Sequence, residues 1–207
     1  MEPASTIAPT QAQLFTEAQT FAIPGLKYQT NFVSFEEELS LLEIIRSLDL
    51  KEAQYRQWQA NRRTVSFGGK YDFTAHELMP AEPIPAFLFA LRTRIAAWSG
   101  IAASRFNHAI IAEYRIGTQL GWHRDVPYFE SVVGVSLAGA ARMRFRPYPP
   151  RIGVRKTAFA VDLAPRSIYT LEAAARWDWQ HAVSPTKALR YSITFRTLAT
   201  GHTRRDR

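Results

Sequence analysis

The sequence predicts a mainly β protein, a β-sandwich or jelly roll with helices ahead of it on one face. Three observations lead there. Helical periodicity is confined to the stretch between Ser34 and Gly100. From Asn107 onward short β-prone runs follow one another, most of them separated by turns rich in Gly or Pro. No stretch beyond Asn107 carries a convincing helical period, which argues against alternating strand and helix units.

Taken in order, residues 1–20 are rich in Ala, Thr, Pro and Gln and read as a loose lead-in, leaving 21–207 as a single domain. Ser34 followed by Glu37 has the capping-box pattern, and Leu39, Leu42, Ile45 and Leu48 then recur at helical spacing. Thr64–Phe73 places two β-prone runs around Gly68-Gly69, which predicts a hairpin. Pro85 opens a second apolar helix that runs to Trp98 and closes near Gly100. Residues 107–197 form the β core, with strands expected at Ala109–Tyr114, Val132–Leu137, Arg142–Arg146, Ala158–Leu163, Ser167–Leu171 and Arg190–Thr197.

Composition removes several classes of function. The chain has no cysteine, so disulfides, thiolate nucleophiles and Cys-based zinc sites are excluded, and any metal must be held by His and carboxylates. The 26 basic side chains outnumber the 18 acidic ones, and the resulting +8 favours anionic partners, nucleic acid before membrane surface. No apolar run approaches the roughly 20 residues that span a bilayer. No basic cluster followed by an apolar run opens the chain, so the expected setting is cytosol or nucleoid, and the expected state a monomer.

Gly121-Trp122-His123-Arg124-Asp125 contains His-x-Asp. On extended backbone residues i and i+2 point the same way, so His123 and Asp125 can grip one ion, while Trp122 and Arg124 face away. His181 follows after several expected strands. Two histidines and one carboxylate on one side of an ion are the ligand set of non-haem Fe(II) oxygenases. By itself His-x-Asp is equally a surface turn with a solvated Asp. A kinase catalytic loop also carries His-Arg-Asp, but the downstream Asn and the Gly-rich loop are missing.

Arg190-Tyr191-Ser192-Ile193-Thr194-Phe195-Arg196 alternates polar and apolar residues, giving a strand with Arg190 and Arg196 on one face. Buried arginines are costly without anions, and a dicarboxylate is a suitable partner. The competing reading is an edge strand with both arginines in water.

His123-x-Asp125, then His181, then Arg-x-x-x-x-x-Arg resembles the AlkB family of 2-oxoglutarate dioxygenases. The family's closing Arg-x-Asn-x-Thr-x-Arg is matched with Ser192 in place of Asn. Its upstream Asn-x-Tyr appears as Ala112-Glu113-Tyr114. The resemblance implies a double-stranded β-helix, a jelly roll with Fe(II) bound by His123, Asp125 and His181. It implies 2-oxoglutarate held by Tyr114, Arg190 and Arg196, with O₂ as the second co-substrate. The implied activity is oxidative dealkylation of bases in DNA or RNA, with 2-oxoglutarate decarboxylated to succinate and an aldehyde released. The hairpin resembles the family's nucleotide-recognition lid, with Phe67, Tyr71 and Phe73 as candidate base contacts and Arg62, Arg63 and Lys70 near the phosphates. Two other readings stand beside it: the same chemistry on a protein or small molecule, and a nucleic-acid-binding jelly roll without catalysis.

Some residues have plainer readings. His76, His108 and His202 lack a carboxylate at His-x-Asp spacing and are expected not to be ligands. Trp177 and Trp179 are expected to pack at a strand end. Arg142, Arg144 and Arg146 alternate on one strand face, with Arg151, Arg155 and Lys156 beyond, and are either a solvated face or a phosphate track. Arg204, Arg205 and Arg207 form a basic tail.

Overall fold

The computed structural model describes residues 18–55, 58–150 and 159–199. Arg151, Arg155, Lys156, His202, the basic tail and all but the end of the lead-in lie outside the described residues.

Two short strands, β1 (Gln19–Thr20) and β2 (Leu26–Gln29), precede helix α1 (Phe35–Ser47). Strands β3 (Lys51–Tyr55), β4 (Trp58–Phe67), β5 (Lys70–Asp72) and β6 (Glu77–Met79) lead to α2 (Phe89–Ser99). The core follows as β7 (Phe106–Tyr114), β8 (Leu120–His123), β9 (Phe129–Leu137), β10 (Ala141–Pro147), β11 (Phe159–Leu163) and β12 (Ser167–Leu171). A short helix α3 (Ala173–Trp177), β13 (Trp179–Val183) and β14 (Arg190–Leu198) close it. Eight strands make one sheet in the order β1-β2-β12-β9-β14-β7-β4-β3, and four make a second in the order β11-β10-β13-β8. Every pairing is antiparallel, and the connections cross between sheets as a jelly roll requires.

The larger sheet is buried on both faces. One face receives α1 and α2, where Leu41, Leu42, Ile45, Leu91 and Ile95 meet Ile111, Val135, Ile193 and Phe195. The other faces the smaller sheet, and Val132, Tyr169 and Leu171 share a second core with Met143, Phe145 and Leu163. At α1 the Ser34 side chain accepts the Glu37 N–H, as the capping pattern predicts. The buried stripe is Glu38, Leu41, Leu42 and Ile45, while Leu39 is 50% exposed. Glu38 hides the true i, i+3, i+4, i+7 phase because a charged residue opens it, and its carboxylate accepts the Ala138 N–H at 2.8 Å.

The expected hairpin at Gly68-Gly69 does not form. β4 pairs with β3 and β7 inside the large sheet, whereas β5 pairs only with β6. Gly68 is a crossover with φ of +77°, and a Cβ there would lie 1.9 Å from the Asn107 carbonyl oxygen. Close passage of two backbones, rather than a two-residue turn, demands the glycine. A hairpin exists one step later, β5 and β6 around residues 73–76. Beyond Asn107, α3 is a five-residue helix with no counterpart among the expected elements.

Candidate active site

β8 is the edge strand of the smaller sheet, and its last residue, His123, pairs in register with His181 on β13. Asp125 lies two residues past the end of β8. Ligand atoms of His123, Asp125 and His181 lie within 4.8 Å of one another, and no other such cluster occurs among the described residues. His123 Nδ1 is 2.8 Å from the Gly121 carbonyl oxygen. A carbonyl only accepts, so Nδ1 carries the proton and the Nε2 lone pair is left for a metal. Burial and the neighbouring His123 push His181 down to about 3, so its imidazole is neutral as a ligand must be. Burial opposes ionisation of Asp125, but Arg196, then His181 and Arg176, outweigh it and hold the carboxyl well below its usual range. Arg196 donates to Asp125 Oδ1 from Nε at 3.1 Å and Nη2 at 3.0 Å, and Nη1 donates to Thr194.

The inner face of β14 continues from this centre. Arg190, Ser192, Thr194 and Arg196 line one cavity with His123, Asp125 and His181. Arg190 is 1% exposed, donates to Ser136 Oγ at 2.9 Å, and holds its guanidinium 4.9 Å from the centre of the Tyr114 ring. Arg62 donates to the Tyr114 hydroxyl at 3.2 Å. Burial would raise the Tyr114 pKa, yet Arg62 and Arg190 together bring it below the usual phenol value. Arg196 is already engaged by Asp125, whereas Arg190 meets no carboxylate among the described residues. The two arginines therefore sit in different surroundings, one bracing a metal ligand and the other forming a buried cationic end.

Sequence reasoning misses two residues of this cavity, Arg62 and Tyr169, and one behind it, Ser136. Arg62 belongs by sequence to the flank of the expected hairpin, but its register opposite Tyr114 turns it inward. Ser136 supports Arg190. Tyr169 lies across Gly134, and burial pushes its hydroxyl up to about 12. The signal for all three is strand register, which one sequence does not display. Arg63 lies on the opposite face of β4 from Arg62 and makes two bonds to Glu113, at 2.8 and 2.7 Å.

The three candidate base contacts separate. Phe67 is 8% exposed and packs in the helix-side core, so it cannot receive a base. Alternation along β4 sends it to the face opposite Arg62 and the cavity. Tyr71 and Phe73 are half-buried on the β5–β6 hairpin, edge to face with ring centres 4.9 Å apart. Tyr128, three residues past Asp125, packs on Tyr71 at 5.6 Å, and its hydroxyl donates to the His76 carbonyl. His76 is an exposed turn residue and His108 a buried strand residue stacked on Phe129; neither joins the metal cluster. Trp177 lies against Arg176, and Trp179 against Phe159.

A jelly roll that gathers two neutral imidazoles and one carboxylate on one side of a cavity defines a non-haem iron oxygenase site. The chain belongs to the 2OG-Fe(II) oxygenase superfamily, which residues 26–196 match. It is an AlkB-like member. The "Alkylated DNA repair protein ALKBH8 homolog" of Arabidopsis thaliana is 25% identical over 78% of this chain and 51% of that protein, so the chain spans about half of that relative. The "Alpha-ketoglutarate-dependent dioxygenase alkB homolog 4" of Mus musculus is 25% identical over 88% of this chain and 70% of that protein. Among solved structures, OsALKBH1 superposes with a TM-score of 0.67 at 14% identity, covering 87% of this chain and all of that one. A Pseudomonas putida prolyl-4-hydroxylase superposes at 0.55 and 15% identity, over 86% and 94% of the two chains. Its superfamily is that of the Fe(II)- and 2-oxoglutarate-dependent oxygenases, and the triad present is the ligand set their iron takes. The donor set fits Fe(II), and a buried guanidinium without a carboxylate fits a dicarboxylate. No helix among the described residues is long and apolar enough to cross a membrane.

Proposed function

We propose that this dioxygenase removes alkyl groups from the bases of nucleic acids, with the base entering beneath the β5–β6 hairpin. The observation that carries the reading is the aromatic cluster of Tyr71, Phe73 and Tyr128, which Tyr128 joins three residues along the chain from Asp125. Stacking surfaces of this kind receive flat bases, each stacked base being worth about 1–3 kcal/mol. The +8 charge supports a polyanionic substrate. So do the names of the plant relative and of the "Probable RNA/DNA demethylase ALKBH6" of Danio rerio, 28% identical over 58% of this chain and 48% of that protein.

In this reading His123, Asp125 and His181 hold the iron, and Arg196 fixes which oxygen of Asp125 faces it. Arg190, Tyr114 and Arg62 take the distal carboxylate of 2-oxoglutarate, with Arg62 supplying the donor that the methyl side chain of Ala112 cannot. Val132, Met143, Tyr169 and Leu171 keep the cavity apolar between its two polar ends. Iron and O₂, when bound, supply the oxidising power that converts 2-oxoglutarate to succinate and CO₂ and hydroxylates the N-alkyl carbon.

Incubation of methylated and etheno-modified oligonucleotides with the enzyme, Fe(II), 2-oxoglutarate and O₂ tests this by mass spectrometry. Restored bases and aldehyde should appear in step with succinate. Succinate formation with every modified oligonucleotide left intact would overturn the nucleic-acid assignment while leaving the oxygenase class standing.

A further inference from the structure

The reverse of the smaller sheet carries a different chemistry from its inner face. Alternation along β10 sends Met143 and Phe145 inward and Arg142, Arg144 and Arg146 outward, and on β8 it sends Trp122 outward beside the inward His123. Arg142 is neutralised by Asp162 through contacts of 2.9 and 2.8 Å. Arg144 and Arg146 are arranged otherwise. Both guanidiniums lie over the Trp122 indole, at 5.0 and 4.6 Å from its centre, with Ala182 between the strands small enough to let the ring reach across. Arg146 Nε donates to Gln180, and the Nε–H of Arg144 has no acceptor. Neither meets a carboxylate among the described residues. Nearby, Arg124 stacks on Tyr148 at 3.7 Å and donates to the Trp177 carbonyl.

Resting on the nucleic-acid reading above, we propose that this outer face is a phosphate track for single-stranded nucleic acid. An arginine in bulk water gains nothing from being ordered, since immobilising its side chain costs conformational entropy. Here stacking orders two guanidiniums flat on one indole and leaves their outer N–H edges available, the geometry that accepts phosphate oxygens in pairs. Arg144 and Arg146 are one strand repeat apart, about 7 Å, the scale of successive phosphates along an extended strand. Because β8 is an edge strand, a chain leaving the cavity at His123 crosses that edge onto Trp122.

The test is anisotropy of a labelled, unmodified single-stranded oligonucleotide titrated with the full chain over a salt series. Each phosphate contact contributes about 0.7 to the slope of log affinity against log salt. Arg144→Gln and Arg146→Gln should each flatten the slope by about 0.7. Together they should flatten it by about 1.4, weakening binding on the order of tenfold near physiological salt. Arg142→Gln, already paired, should leave the slope unchanged, and Arg144→Lys with Arg146→Lys should preserve it. Substrate-free conversion of 2-oxoglutarate to succinate should survive in all of them, reporting an intact fold and iron site. A wild-type slope in both single Gln variants and in the double would overturn the track while sparing the nucleic-acid reading. If the double variant instead loses adhesion to anionic phospholipid vesicles alone, the face is a membrane surface and the proposal is wrong. Absence of salt-dependent oligonucleotide binding in the wild type would remove the track and the reading beneath it together.

Discussion

Gly134 sits on β9 opposite Tyr169, and its missing side chain is where the Tyr169 ring lies. A Cβ added there would stand 2.3 Å from Tyr169 Cζ and 2.5 Å from its hydroxyl oxygen. Carbon contacts become favourable only near 3.5 Å, so in Gly134→Ala the ring must retreat by more than about 1 Å. With the sheet behind it, the ring moves into the cavity shared with Arg190. Overpacking of this kind costs about 1–3 kcal/mol, or a melting temperature lower by roughly 2–12 °C for a chain of this size. The functional loss should exceed the stability loss, because an ångström of misplacement in a reactant costs on the order of a hundredfold. Succinate formation measured against 2-oxoglutarate concentration should show kcat/KM for the co-substrate lower by roughly ten- to a hundredfold. Gly134→Ala with Tyr169→Ala should recover part of it, since the two residues share one space. Wild-type co-substrate kinetics and melting in Gly134→Ala would show that the ring does not fill the space a Cβ needs, and the coupling between the two residues would fall with it.

His123→Ala and Asp125→Ala should both abolish turnover and Fe(II) binding. Only the second strands Arg196, and breaking such a buried pair costs about 3–5 kcal/mol, so metal-free Asp125→Ala should melt well below metal-free His123→Ala. Equal melting temperatures would mean Arg196 does not depend on Asp125. Tyr71→Ala should slow oligonucleotide turnover about tenfold with little change in melting, whereas Phe67→Ala should destabilise by about 3–5 kcal/mol as a core deletion. The reverse pattern in activity and calorimetry would put Phe67, and not Tyr71, at the base. Arg63, against burial and helped by Tyr191 and Arg115, holds the Glu113 carboxyl below its ordinary 4.5. A depressed carboxylate stabilises above its unfolded pKa and loses that contribution as pH falls through the folded one. Glu113→Gln should therefore melt below wild type at neutral pH, with the gap closing below about pH 4. A gap independent of pH in thermal melts would show that the charge on Glu113 is not what stabilises.

Strands that keep an apolar alternation or an unbroken β-branched run are legible in the sequence. Ser167–Leu171 is observed with the bounds its composition suggests, and β7, β9, β10 and β14 differ by a few residues at their ends. β8 and β13 are not, because Gly121, His123, Gln180 and His181 give their positions to chemistry and break the apolar alternation that betrays a strand. The same polarity makes His123, Asp125 and His181 conspicuous. The structure brings those three together, along with Tyr114, Arg190 and Arg196, on one cavity. What stays hidden depends on register: Arg62 facing inward, Phe67 outward to the helices, and the β5 chain leaving the large sheet at Gly68. A sequence shows which residues alternate, but not which of two faces the alternation begins on.

On the proposed assignment of the co-substrate carboxylate to Arg190, its fully buried guanidinium also makes this fold answerable to metabolite supply. A folded chain that binds an anion its unfolded form ignores is stabilised by mass action, by about 2.7 kcal/mol when the free ligand stands at a hundred times its dissociation constant. An isolated buried charge is the kind of group whose desolvation such a ligand offsets most directly. Resistance to heat and to proteolysis should then rise and fall with the concentration of the dicarboxylate, with no base bound. The lifetime of the protein, and not only its turnover rate, becomes a readout of how much 2-oxoglutarate surrounds it.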